Sequence, residues 1–167
     1  MTTSGETVIK PGWRFLFSNP AYLLAFGFGS GLSRYAPGTL GTLVAFPLYW
    51  YFSSRLSDYP FIVMLIVAFA LGVWACDETG KALGETDYGG IVWDEIVSFM
   101  LVLFFTPPGW YWSLLAFSLF RLFDIVKPPP IRYIDSNWHG GLGVMFDDVL
   151  AAGYALMCLA MVRSVLP

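Results

Sequence analysis

The apolar positions of this chain fall in continuous runs, at residues 39–52, 61–76, 91–106, 110–126 and 144–166, with a shorter stretch at 21–32. Runs of that length without a period of two predict helices and disfavour the alternating strands of a closed barrel. Turn-forming residues separate them: Pro37-Gly38, residues 57–60, Gly89-Gly90, Pro107-Pro108-Gly109, Pro128-Pro129-Pro130 and residues 140–143. Crossing about 30 Å of hydrocarbon takes roughly 20 residues at 1.5 Å each, so only the run at 61–76 is a clean span. The others are expected to be tilted, kinked or partly interfacial. The pattern therefore predicts an all-α fold: a compact multi-pass membrane helical bundle with a glycine-rich loop. Residues 1–20 form a polar, interfacial N-terminal segment, and residues 21–167 form a single membrane-embedded domain.

Composition turns that pattern toward lipid. The 167 residues are 57% hydrophobic, 19% aromatic and only 13% charged, with a mean hydropathy of +0.64, against about 25% charge in soluble chains. Trp and Tyr gather near run ends, at Tyr49, Trp50, Tyr51, Trp110, Tyr111 and Trp112, where their rings suit the headgroup layer. No cleavable signal sequence is evident in residues 1–20, so insertion is expected to use the internal runs. With a cytoplasmic N-terminus, loops 77–90 and 127–143 face inward with Arg34, Lys81, Lys127 and Arg132, leaving Arg55 and Arg163 outside.

The net charge of −3 conceals an asymmetry, because ten of the twelve acids lie from Asp77 onward. No basic surface suited to nucleic acid is present. Cys76 and Cys158 lack CxxC or CxxH companions and are expected to be buried free thiols. Folding the runs into a bundle brings Asp77-Glu78, Asp87, Asp94-Glu95, Asp124 and Asp147-Asp148 to one membrane face. Acids so closely flanked by apolar sequence are costly unless compensated. The nearby cations Arg34, Lys81, Arg121, Lys127, Arg132 and His139 leave room for a divalent metal, and oxygen ligands favour Mg2+, then Mn2+, over zinc. The plain alternative for each pair is a helix first turn, where acids complement the macrodipole.

Two further features point to phosphate. Residues 29–42 are rich in glycine and hydroxyls and run into a helix, so free amides around Gly38, Thr39 and Thr42, with Arg34 beside them, would suit an anion. Alternatively, Thr39 caps that helix and the glycines allow close packing. Arg121, Asp124 and Lys127 stand three apart along roughly one helix face, either as an ion-pair ladder or as cations aimed at phosphate. His139, before Gly140-Gly141, is a candidate general acid. Spacing removes several phosphatase designs: Ala82 stands where a cysteine phosphatase needs Arg after Cys76, DxDxT is absent, one histidine cannot serve a two-histidine mechanism, and no GK[ST] follows the glycines. Metal-assisted attack on a phosphomonoester remains, with an acid as covalent nucleophile an open variant.

The blocks GSGLSRYAPGTLGTL, IVWDEIV, RLFDIVKPPPI and DSNWHGGLGVMFDDVLAAGYA, in this order, resemble the phosphatidylglycerophosphatase A family. The resemblance implies a multi-pass enzyme of the bacterial inner membrane that hydrolyses phosphatidylglycerophosphate to phosphatidylglycerol with Mg2+, its active site on the cytoplasmic side. The family's recurring acids match Asp94, Glu95, Asp124, Asp147 and Asp148, with Lys127, His139 and the glycines beside them; joined to the loop reading, this makes Asp94, Glu95, Asp124, Asp148 and His139 the expected catalytic residues, Arg34, Gly38, Thr39, Thr42 and Lys127 the expected phosphate contacts, and Asp94, Glu95, Asp147 and Asp148 the expected Mg2+ ligands. Its partners are a phospholipid substrate and membrane lipid, with homo-oligomerisation open. Arg34-Tyr35 and Pro129 depart from the family pattern and bear on substrate fit. Two other readings compete: a non-enzymatic cation or solute carrier using the same acids, and a membrane-associated phosphatase for soluble phosphomonoesters. A carrier's acids should be spread through membrane depth, whereas these gather at one end of the runs.

Overall fold

The computed structural model describes residues 11–165, and among these the secondary structure is helical, with no strand. A short helix α1 (Trp13–Leu16) leads to α2 (Pro20–Ala25), which starts where Asn19 accepts a hydrogen bond from the Ala21 amide and proline supplies the first turn. Leu16 is buried and Phe15 stacks on Tyr22, so residues 13–16 pack onto the bundle. Residues 1–10 of the polar N-terminal segment lie outside the described residues.

The 21–32 stretch divides into α2 and a 3-10 segment (Gly27–Leu32) that bends at Phe28 and Gly29, both at positive φ. The remaining runs each give one long helix: α3 (Pro37–Ser53), α4 (Asp58–Leu83), α5 (Trp93–Phe105), α6 (Trp110–Val126) and α8 (Gly141–Val165), with the short α7 (Ile131–Asn137) before the last. Helix α4 runs seven residues beyond its apolar stretch, carrying Asp77 and Glu78 within its last turns, and ends at Gly84 in the left-handed conformation.

Helix α5 is the centre. Nine of its 13 residues are buried, and it packs chiefly against α3 and α8, while α8 also packs on α4 and α6. At 13 residues it is about 20 Å long, too short to cross a bilayer alone. Among the described residues, helices α4 and α8 are the two that are long and apolar enough to do so. Val63, Ile66, Val67, Leu71 and Trp74 form an exposed apolar stripe along α4, a surface that suits lipid better than water.

Successive helices alternate in direction. Glu95 at the start of α5 meets Arg121 near the end of α6, and Asp147 near the start of α8 meets Lys127 just past α6. At the opposite end Phe105 and Arg163 line one cavity, and Trp50 and Trp110 another. The acids thus collect at one end of the bundle and an aromatic rim at the other.

Candidate active site

Four helix termini build the site: the first turns of α3 and α5, the last turns of α6, and the second turn of α8. Arg121 is its hub. Its Nη1 stands 2.8 Å from Glu95 Oε1 and 2.6 Å from Asp124 Oδ2, and it donates at 3.4 Å to Thr42 Oγ1. Thr42, fully buried, donates in turn to the Gly38 carbonyl at 2.9 Å. A Cβ at Gly38 would overlap the Glu95 carboxylate, and one at Gly41 would lie 2.9 Å from its other oxygen. These two glycines therefore let α3 approach a carboxylate–guanidinium pair. Thr39, half-buried, is not a cap, because α3 begins at Pro37 with Ala36 at the cap position.

The expected ladder of Arg121, Asp124 and Lys127 holds for the first pair only. Lys127 ends α6 at φ 45, and the left-handed turn before Pro128 swings its side chain out of the helix register. Its Nζ bonds Asp135 Oδ1 at 2.5 Å and Asp147 Oδ2 at 2.7 Å. Burial disfavours its charge, but these two hydrogen bonds outweigh it and raise the pKa above the ordinary lysine value. Asp87 has exposed surface yet is ringed by protein atoms. The crowding governs its titration: desolvation raises its pKa, partly offset by the charge of Lys127.

Between the two ion-paired groups lie acids left incomplete. Asp94, Glu95, Asp147 and Asp148 are 7, 9, 5 and 2% exposed. Asp94 Oδ1, Glu95 Oε2, Asp148 Oδ2 and Arg121 Nε are buried without a hydrogen-bond partner. The charges of Glu95, Asp147 and Asp124 all reach Asp94, and those of Asp94, Asp124 and Asp147 reach Asp148. Orphaned carboxylate oxygens in such a setting are costly unless a cation completes them. Among the described residues no three His, Cys, Asp or Glu side chains are grouped so that together they could hold a metal ion, so Asp94, Glu95, Asp147 and Asp148 are not assembled as a four-carboxylate site. The unpartnered oxygens of Asp94, Glu95 and Asp148 are donors of the kind Mg2+ takes, and that ion commonly uses only one or two protein carboxylates, with water and substrate phosphate filling its octahedron.

The other predicted site residues stand further out. Arg34 is exposed, makes no ion pair among the described residues, and lines a cavity of about 730 Å³ with Pro37, Glu85, Tyr88 and Gly90. His139 is exposed, with Nδ1 3.2 Å from the Asn137 carbonyl oxygen, and shares a cavity of about 70 Å³ with Asp87 and Asp135. Asp77 pairs with Lys81 at 2.5 Å and accepts from the Gly141 amide at 3.4 Å, which fixes the start of α8 against α4. Sequence reasoning did not place Asp135 in the site. Its partner is set by the turn at Lys127, which no spacing rule reveals. The central position of Arg121 was foreshadowed only by its i,i+3 relation to Asp124.

The sequence model of the family described as phosphatidylglycerophosphatase A matches residues 23–163. The chain is similar to phosphatidylglycerophosphatase A of Escherichia coli K12, 43% identical over 83% of this chain and 80% of that one. It is 48% identical to the Haemophilus influenzae protein of the same name, over 83% of this chain and 86% of the relative. A Bacteroides thetaiotaomicron protein with the provisional name phosphatidylinositol-3-phosphatase is 41% identical over 86% of this chain and 94% of its own length. No solved structure matches the chain. With a match spanning the glycine-bearing start of α3, both buried acid pairs and the Arg121–Asp124 pair, the chain belongs to the phosphatidylglycerophosphatase A family.

Proposed function

We propose that this chain is a multi-pass phosphatase of the bacterial inner membrane that hydrolyses phosphatidylglycerophosphate to phosphatidylglycerol and inorganic phosphate, with Mg2+ held by one or two carboxylates from among Asp94, Glu95, Asp147 and Asp148. The observation that carries the reading is the set of orphaned oxygens on Asp94, Glu95 and Asp148, buried together at one end of a bundle whose flanks are apolar. The names of the Escherichia coli and Haemophilus influenzae relatives supply the substrate.

In the reaction a water oxygen bonds to phosphorus, the phosphorus–oxygen bond to glycerol breaks, and a proton passes to the departing oxygen. Mg2+, when bound, draws charge from the phosphate oxygens and lowers the pKa of water beside them. Glu95 is oriented for this work by Arg121, and Asp147 by Lys127. Lys127 and Arg121 also supply positive charge where phosphate charge builds up. His139, which shares a cavity with Asp87 and Asp135, is the candidate to protonate the leaving oxygen, and the exposed Arg34 is the candidate to meet the incoming headgroup.

A cytoplasmic active site is supported by the cations Arg34, Lys81, Lys127 and Arg132 at the acid end, against Arg55 and Arg163 at the other. The carrier reading is not favoured, since the buried acids sit at one end of the bundle and leave its length apolar. The decisive test is phosphate release by the purified protein from phosphatidylglycerophosphate in mixed micelles, with phosphatidylinositol 3-phosphate in parallel because of the Bacteroides relative. Release that needs Mg2+ and prefers the first lipid supports the reading. An undiminished rate in excess chelator removes the metal from it, and no release from the first lipid removes the substrate.

A further inference from the structure

One apolar cavity lies between helices that carry the acids and has no part in the chemistry above. It has a volume of about 220 Å³ and lies between α4, α5 and α8, walled by Ile66 and Phe69, Ser98 and Leu101, and Phe146 and Val149. Its head is next to the acids: Phe146 directly precedes Asp147, and Ser98 stands one helical turn from Asp94. From Phe69 back to Ile62, which also lines it, the wall extends about 10 Å away from the acid end.

Two observations bear on what fills it. Ser98 is 0% exposed and its hydroxyl is buried without a partner. A helical serine usually satisfies that hydroxyl on the preceding turn, as Thr42 and Thr79 do here. The unpaired donor therefore sits at the head of an otherwise apolar channel, where the acceptor it lacks is to be expected from an occupant. At the mouth, Phe146 stacks on the exposed ring of Trp138 at 5.2 Å, an aromatic pair suited to the headgroup layer.

We propose that this groove is the acyl-chain subsite for the lipid being hydrolysed. One chain runs from the acid site down between α4, α5 and α8, with its ester carbonyl accepting from Ser98. The inference rests on the lipid-phosphatase reading and adds to it a built place for the tail. An ester oxygen followed by hydrocarbon matches the order of chemistry along the channel, one hydroxyl at its head and apolar walls beyond it.

The test compares kcat/KM for a long-chain diacyl substrate with that for the water-soluble, deacylated headgroup, in the full chain and two groove-filling variants. Leu101→Trp narrows the deep wall; Ile66→Trp fills the groove from the exposed rim of α4, where misfolding is least expected. Each variant should lower the long-chain value about tenfold more than the deacylated one, equivalent to excluding about two methylene groups. Equal loss on both substrates, or none, in the Ile66→Trp protein overturns the subsite. A wild-type protein inactive on both substrates instead overturns the phosphatase reading, and the subsite with it. A change only in thermal stability with added bulk phospholipid, at an unchanged substrate ratio, assigns the groove to structural lipid and overturns the proposal.

Discussion

Arg121 of α6 places Nη1 2.8 Å from Oε1 of Glu95 on α5, and both side chains are nearly buried, 14 and 11% exposed. The pair fixes which Glu95 oxygen is committed to a guanidinium and leaves Oε2 without a partner. The same nitrogen serves Asp124 at 2.6 Å, so a single cation organises two acids from different helices.

Replacing Arg121 tests that arrangement. Arg121→Met leaves two mostly buried carboxylates without their cation, and the cost is expected to be on the order of 3 kcal/mol. Arg121→Lys retains the charge but offers a point donor in place of the planar fork, so stability should recover more than activity. Thermal unfolding in detergent and phosphate release on the same preparations separate the two effects.

Asp94→Asn and Asp148→Asn keep the side-chain volume but remove an anionic oxygen that has no protein partner. Turnover is expected to fall by about a thousandfold or more, with unfolding temperature unchanged or raised, since an uncompensated buried charge has gone. A fall in activity matched by loss of the folded state would show that these acids support structure instead.

Glycine replacements distinguish close approach from helix propensity. Gly38→Ala puts a Cβ into the Glu95 carboxylate and should destabilise the protein by about 1–3 kcal/mol through overpacking. Gly153→Ala meets nothing within 4 Å in the interior of α8 and should stabilise it by about 0.5–1 kcal/mol. Denaturation of the two variants beside the parent checks the opposite signs.

The pKa of Lys127 is raised in the folded protein, so its contribution to stability is complete below the ordinary lysine value of 10.5. That contribution is lost as pH climbs from there through the folded value. Lys127→Met should unfold about 3 °C or more below the parent at neutral pH, and the gap should begin to narrow above pH 10.5 and keep narrowing as pH rises. Melting curves at neutral and strongly alkaline pH give the comparison; a gap that widens with pH contradicts the assignment.

The amino-acid sequence by itself determined the long helices, though not the short ones at Trp13–Leu16 and Ile131–Asn137, because continuous apolar runs bounded by Pro and Gly admit few other states; α6 matches its run residue for residue at Trp110–Val126. It also determined that Asp94-Glu95 and Asp147-Asp148 would need compensation, since acids beside Ile91-Val92 and Met145-Phe146 are costly wherever the bundle closes. Tertiary structure alone decided the partners. Whether Lys127 continues the ladder of Arg121 and Asp124 or turns to Asp135 and Asp147 depends on one left-handed residue before Pro128. That α3 can reach Glu95 depends on what faces Gly38 and Gly41 from another helix. The reason is physical: helix formation is governed by neighbours three and four positions away, whereas the pairing of buried charges is governed by residues dozens of positions apart, brought together only when the bundle packs.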